Sequence, residues 1–137
     1  MRQALVVYGG WDGHEPRACV DVFVPLLNED GFDVELSDTL EVYRDLDRIE
    51  GLGLIVQCWT MGTISKEEEK GLLDAVKEGV GFAGWHGGTS DAFRNNPTFQ
   101  WMVGGQFVSH PGGIKDYGVQ IVDRKDPITR GIDDFKM

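Results

Sequence analysis

The chain has 137 residues, with 13 lysines and arginines against 23 aspartates and glutamates, and a formal net charge of −10. That length suits one domain around one core, and the acidity excludes nucleic acid, whose phosphates such a surface repels. No apolar run approaches the ~18 residues of a membrane span, so no membrane partner is expected; Cys19 and Cys58 lack the spacing of a disulfide framework or a zinc cluster, which fits a reducing cytoplasm.

The N-terminus enters a strand pattern at once, with too short an apolar stretch and no small-residue cleavage site for a secretory signal. Residues 4–8 are uniformly apolar and read as a buried parallel strand. Pro16 suits a first helical position. Cys19, Val22, Phe23, Leu26 and Leu27 then recur at helical spacing and predict one apolar stripe. Pro25 removes a hydrogen bond inside that helix and predicts a kink. Gly31 closes the helix, and residues 32–36 predict a second strand.

Residues 37–50 are polar and predict a short helix, and residues 52–58 a third strand. Ser65 with Glu68 forms a capping-box pair. Leu72, Leu73 and Val76 make the buried stripe of the helix it opens, and Gly79 ends that helix. Residues 80–85 predict a fourth strand, residues 93–103 a partly helical stretch, and residues 117–122 a fifth strand. Strands alternating with helices imply an α/β fold with a parallel sheet covered on both faces. The tail, residues 126–137, offers no clear covering helix. The last layer is therefore expected to be incomplete or supplied by a partner, and an uncovered edge strand favours a homo-oligomer.

Ligands of open parallel sheets bind beyond the carboxyl ends of the strands. The glycine-rich loops there hold every histidine of the chain, His14, His86 and His110, along with Trp11, Trp59 and Trp85. The most informative loop is Gly84-Trp85-His86-Gly87-Gly88. It has the form of a nucleophile elbow, a strand, a sharp turn and a helix that hold one side chain above the sheet. Histidine occupies the place that Ser or Cys usually holds.

Imidazoles in one pocket support two chemistries. His86, assisted by His14 and His110, would move protons as general acid and base. Alternatively the three would bind Zn²⁺ with an open fourth position and activate a water. Asp12, Glu15 and Asp91 are further carboxylates for such a pocket, and helix N-terminal capping is the better account of Glu15 and Asp91. Trp11, Trp59 and Trp85 offer flat surfaces for a sugar, or simply pack in the core. Gly87 and Gly88 let the backbone approach a ligand, and the amides that follow them would bind an anionic or carbonyl oxygen. A flavodoxin needs a hydroxyl-rich phosphate loop where this chain has Trp11-Asp12-Gly13-His14-Glu15. A receiver domain needs an aspartate where Gln57-Cys58-Trp59 stands. Neither FMN nor a nucleotide is expected.

The motifs Gly9-Gly10 to His14, Gly84-Trp85-His86-Gly87-Gly88, Gly104-Gly105-Gln106-Phe107 with His110-Pro111-Gly112, and Asp126-Pro127-Ile128-Thr129-Arg130-Gly131 resemble the ThuA-like (trehalose utilisation) family. That family is a branch of the class I glutamine amidotransferase-like superfamily. The resemblance implies a flavodoxin-like three-layer sandwich with a mostly parallel central sheet. It makes residues 1–137 a single ThuA-like domain, truncated at its C-terminal end because the family usually runs longer. It also implies a link to trehalose or keto-disaccharide metabolism, with a small sugar as partner. Since His86 replaces the elbow cysteine, glutamine hydrolysis through a thioester is not expected. Three readings stand: a keto-sugar enolase or isomerase, a non-catalytic sugar-binding module, and a zinc-dependent hydrolase.

Overall fold

A computed structural model describes residues 2–137. The chain divides into two units, Met1–Phe107 and Val108–Met137.

The first unit is built on four strands, β1 (Arg2–Gly10), β2 (Phe32–Ser37), β3 (Leu54–Thr60) and β4 (Gly81–Gly84). All pair in parallel, in the order β2-β1-β3-β4. From β1 the chain first crosses to one side, to β2, and then returns to the other, to β3. The reversal leaves a crevice at the carboxyl ends of β1 and β3, where doubly wound folds place ligands.

Alternation along β1 and β3 divides the apolar side chains between the two faces. Leu5, Val7 and Ile55 pack on one side with Tyr43, Ile49, Leu72, Phe93 and Phe99. The layer there contains a 3-10 turn (Leu40–Arg44) and the helices α2 (Leu46–Ile49), α3 (Lys66–Lys77) and α5 (Pro97–Val103). Val6, Val56 and Cys58 face the other way, under α1 (Pro16–Glu29). Helices on both faces give the three-layer, flavodoxin-like sandwich that the motifs imply. Local signals hold in place: Ser65 and Glu68 form a complete capping box at the start of α3.

Two expectations need correction. The stripe expected on α1 is out of phase. Val20 is the fully buried residue, joined by Cys19, Val24 and Leu27, whereas Val22 and Leu26 are exposed at 63% and 53%. Positions 20, 24 and 27 lie one helical turn apart and face the sheet; 22 and 26 fall on the opposite side. Pro25 lies inside this helix, as expected. Finally, the expected fifth strand does not join the sheet. Only Gly118–Val119 is extended (β5), and it pairs antiparallel with Phe135–Lys136 (β6) as a separate two-stranded sheet.

No residue of the second unit is buried. Its order comes from polar contacts. Arg124 bridges Asp133 and Asp134, each at 2.8 Å. The Asp126 carboxylate accepts the Ile128 amide at 2.8 Å, which closes the turn that Pro127 opens. Exposed ion pairs contribute little each, so this unit is the expected first site of local opening. Brief trypsin digestion is expected to cut after Lys115, Arg124, Lys125 or Arg130 before any site in Met1–Phe107; early cleavage after Arg44 or Lys70 would contradict this.

Candidate functional site

The elbow is a strained backbone held by steric necessity. His86 has φ 47° and ψ −142°, positive-φ backbone that a side-chain-bearing residue rarely adopts. It precedes α4 (Gly87–Ser90), and its carbonyl accepts the Ser90 amide at 3.0 Å and the Ser90 hydroxyl at 2.8 Å. The flanking glycines leave no room for a methyl group. A Cβ at Gly84 would lie 1.7 Å from Thr89 Oγ1 and 2.7 Å from the Gln57 carbonyl. One at Gly88 would lie 2.9 Å from Cys58 Cα. The turn can sit this close to β3 only with glycine on both sides, and this proximity lifts the exposed His86 clear of the sheet.

His14 meets this elbow from the β1 side. The amide of Trp11 donates to the Thr60 carbonyl at 3.0 Å, tying the loop after β1 to the end of β3. His14 Nδ1 and Thr60 Oγ1 are then 2.9 Å apart. Thr60 is buried at 2% exposure, so it fixes the imidazole ring and leaves Nε2 as the nitrogen open for proton exchange. The rings of His14 and His86 lie 4.9 Å apart between centroids, tilted by 48°. Gly87 makes that approach possible, since a Cβ there would stand 2.5 Å from His14 Cε1. Trp11, half-exposed, meets His14 edge-on at 4.8 Å.

The other residues singled out by sequence are distributed differently. Trp59 folds over Gly9 and Gly62, packs against the main core, and buries its Nε1 without a partner among the described residues. Trp85 stacks on Phe23 of α1 at 4.2 Å, on the sheet face away from that core. Both indoles pack against the fold, which is the alternative to a sugar face for these positions. Asp91 is buried and held by Arg94 through two contacts, at 2.5 and 2.9 Å. It orders the end of α4 rather than offering a free carboxylate. Asp12 is exposed beside a cavity of about 510 Å³, which Glu15, Asp21 and Asp38 also line. His110 lies in the second unit, exposed, with its carbonyl accepting the Gly113 amide at 3.2 Å.

A zinc centre on His14, His86 and His110 requires three nitrogens converging at about 2.0–2.1 Å on one ion. Among the described residues no group of three or more His, Cys, Asp or Glu is placed to hold a metal ion. Within the first unit, His14 and His86 are neighbours. Thr60 is the partner that sequence reasoning missed. Its signal was its place at the very end of the third strand, beside the crevice, where a hydroxyl can reach a loop imidazole.

Neither cysteine takes the place of an elbow nucleophile. Burial pushes the Cys58 thiol up to about 11, with Cys19 adding to the shift. Cys58 sits beneath Gly88, packed against the elbow from below. The thiolate is the reactive form, so alkylation by iodoacetamide at pH 8 is expected to label half-buried Cys19 and spare Cys58 until the pH nears 11. Peptide mapping of the labelled protein checks the order; equal labelling at pH 8 would contradict it.

A doubly wound α/β sheet with a glycine-framed elbow over its switch crevice defines a flavodoxin-like protein with histidine at the elbow position. Comparison with known proteins supplies the family. The ThuA model, described as trehalose utilisation, matches residues 3–137, and the chain belongs to that family. Membership connects it to sugar metabolism at the level of the family. A crystal structure described as a ThuA-like protein from Bacteroides uniformis superposes with a TM-score of 0.80 at 18% identity; the match takes in 98% of this chain and 57% of that one. The chain thus spans little more than half the length of that neighbour. No curated protein matches it. No helix among the described residues is long and apolar enough to cross a membrane.

Proposed function

We propose that this protein acts on a keto-disaccharide, shifting a proton next to the carbonyl with His14 and His86 as acid and base. One imidazole takes the proton from the carbon beside the carbonyl, and that C–H electron pair forms the C=C bond of an enediol. The carbonyl oxygen takes a proton from the other imidazole. The first imidazole then gives its proton to the former carbonyl carbon, the second takes the proton of the other enediol hydroxyl, and that oxygen becomes the new carbonyl, which completes an isomerisation. Imidazole both gives and takes protons near neutral pH, so two facing rings suffice without an outside acid. The observation that carries this reading is the 4.9 Å approach of the two rings over Gly87. The family description supports a sugar as the substrate.

Deuterium uptake from D2O next to the carbonyl of a keto-disaccharide, followed by NMR, tests the proposal. Exchange by the wild-type protein is expected to fall about 10²–10⁴-fold in His86→Ala and in His14→Ala. Exchange that is unchanged in both variants would overturn it. The exposure of His86 also favours a second reading, sugar binding without turnover. In that case saturable binding would persist while wild-type exchange matched the buffer blank.

A further inference from the structure

On the same unit, beyond Arg94, the structure has a second concavity that the histidine chemistry does not use. It measures about 530 Å³ and is lined by Pro97, Gln100, Trp101, Gly104, Gly105 and Gln106. This volume lies within the range of small-molecule sites. Trp101, on α5, is 86% exposed, although its neighbour Phe99 is buried in the core. An indole so exposed contributes almost nothing to folding.

The polar groups of this site are fixed in position. Gln100 Nε2 donates to the Arg94 carbonyl at 2.8 Å and to the Phe93 carbonyl at 3.3 Å. Gln106 Nε2 donates to the same Arg94 carbonyl at 3.3 Å. Arg94 is itself held by Asp91. With both amide nitrogens engaged as donors, the Oε1 of each Gln serves as an acceptor. Gly104 and Gly105 leave the cavity open, since a Cβ on either would meet nothing within 4 Å. No charged side chain lines it, on a chain with a net charge of −10.

These features define the ligand by chemistry. A flat apolar ring face, two fixed acceptors and no charge suit a neutral molecule with an apolar face and many O–H donors. A phosphate or carboxylate would find no cation, and an amine no carboxylate. We infer that the Trp101 concavity is a second carbohydrate-binding site, in which a neutral disaccharide stacks on the indole and donates hydroxyls to Gln100 and Gln106. It stands apart from the His14–His86 pair and does not depend on the reaction proposed for it.

Calorimetric titration with trehalose tests the inference, on the wild-type chain, Trp101→Ala, Trp101→Phe and His86→Ala. Wild-type protein and His86→Ala are expected to bind saturably and alike. Trp101→Ala is expected to weaken binding about tenfold or more, and Trp101→Phe less. Replacement of so exposed a residue is expected to leave the melting temperature essentially unchanged, and thermal melts check that the variants are folded. Absence of saturable binding, or binding kept in Trp101→Ala and lost in His86→Ala, would overturn it. So would Trp101-dependent self-association in sedimentation without any sugar response, which would make the face a contact between copies.

Discussion

Gly84→Ala is expected to cost about 3–5 kcal/mol of folding stability, at the upper end for a single substitution. The new methyl carbon would stand 1.7 Å from Thr89 Oγ1 and 2.7 Å from the Gln57 carbonyl. Neither neighbour is the free end of a flexible chain. Thr89 is buried and donates its hydroxyl to that same carbonyl at 3.0 Å. Relief of the clash therefore breaks a buried hydrogen bond or pushes the elbow away from β3, and either route is costly in a close-packed interior. Gly51→Ala is the control. A Cβ there meets nothing within 4 Å, and the change is expected to stay within about 0.5 kcal/mol. Thermal or urea unfolding of the two variants decides the matter, since equal effects would mean that the elbow does not need its glycine. Adding Thr89→Ala to Gly84→Ala removes the nearest clashing atom, so the double variant is expected to lose less than the sum of the two singles.

The second large effect has opposite signs on stability and function. His86→Gly is expected to raise the melting temperature by a few degrees while lowering proton exchange on the keto-sugar about 10²–10⁴-fold. A side chain at φ 47° and ψ −142° costs about 1–3 kcal/mol, which glycine avoids. Glycine loses about 0.5–1 kcal/mol through the greater freedom of the unfolded chain, so relief of strain wins. His86 is exposed, and its removal opens no cavity. Melts and exchange assays on one preparation measure both signs together. A melting temperature that falls by several degrees would show that the His86 side chain supports the fold, and the backbone strain would then not mark a site maintained for chemistry.

Much of this was legible in the residues. Patterns of apolar and polar side chains are local, and so are caps and glycine turns. Four parallel strands, the Ser65–Glu68 capping box and the elbow at His86 could therefore be read in order along the chain. The phase of α1 could not. Cys19, Val22, Phe23, Leu26 and Leu27 satisfy a helical stripe as well as Val20, Val24 and Leu27 do, and only docking on Val6 and Val56 selects the second set. The fate of residues 117–122 was hidden for a related reason. Extended sequence specifies a strand but not its partner, and here the partner is Phe135–Lys136.

The candidate site divides in the same way. Sequence by itself determined that glycine-rich loops place histidines at strand ends, and that Gly84 and Gly88 bracket one of them. It also determined family membership, because the spacing of those motifs is a linear property. Tertiary structure alone decided that His14 and His86 face each other, that Thr60 fixes one of them, and that Trp59 and Trp85 turn to packing while Trp101 stays exposed. Those outcomes depend on distances between segments remote along the chain, set by strand order and register, and no local pattern encodes them.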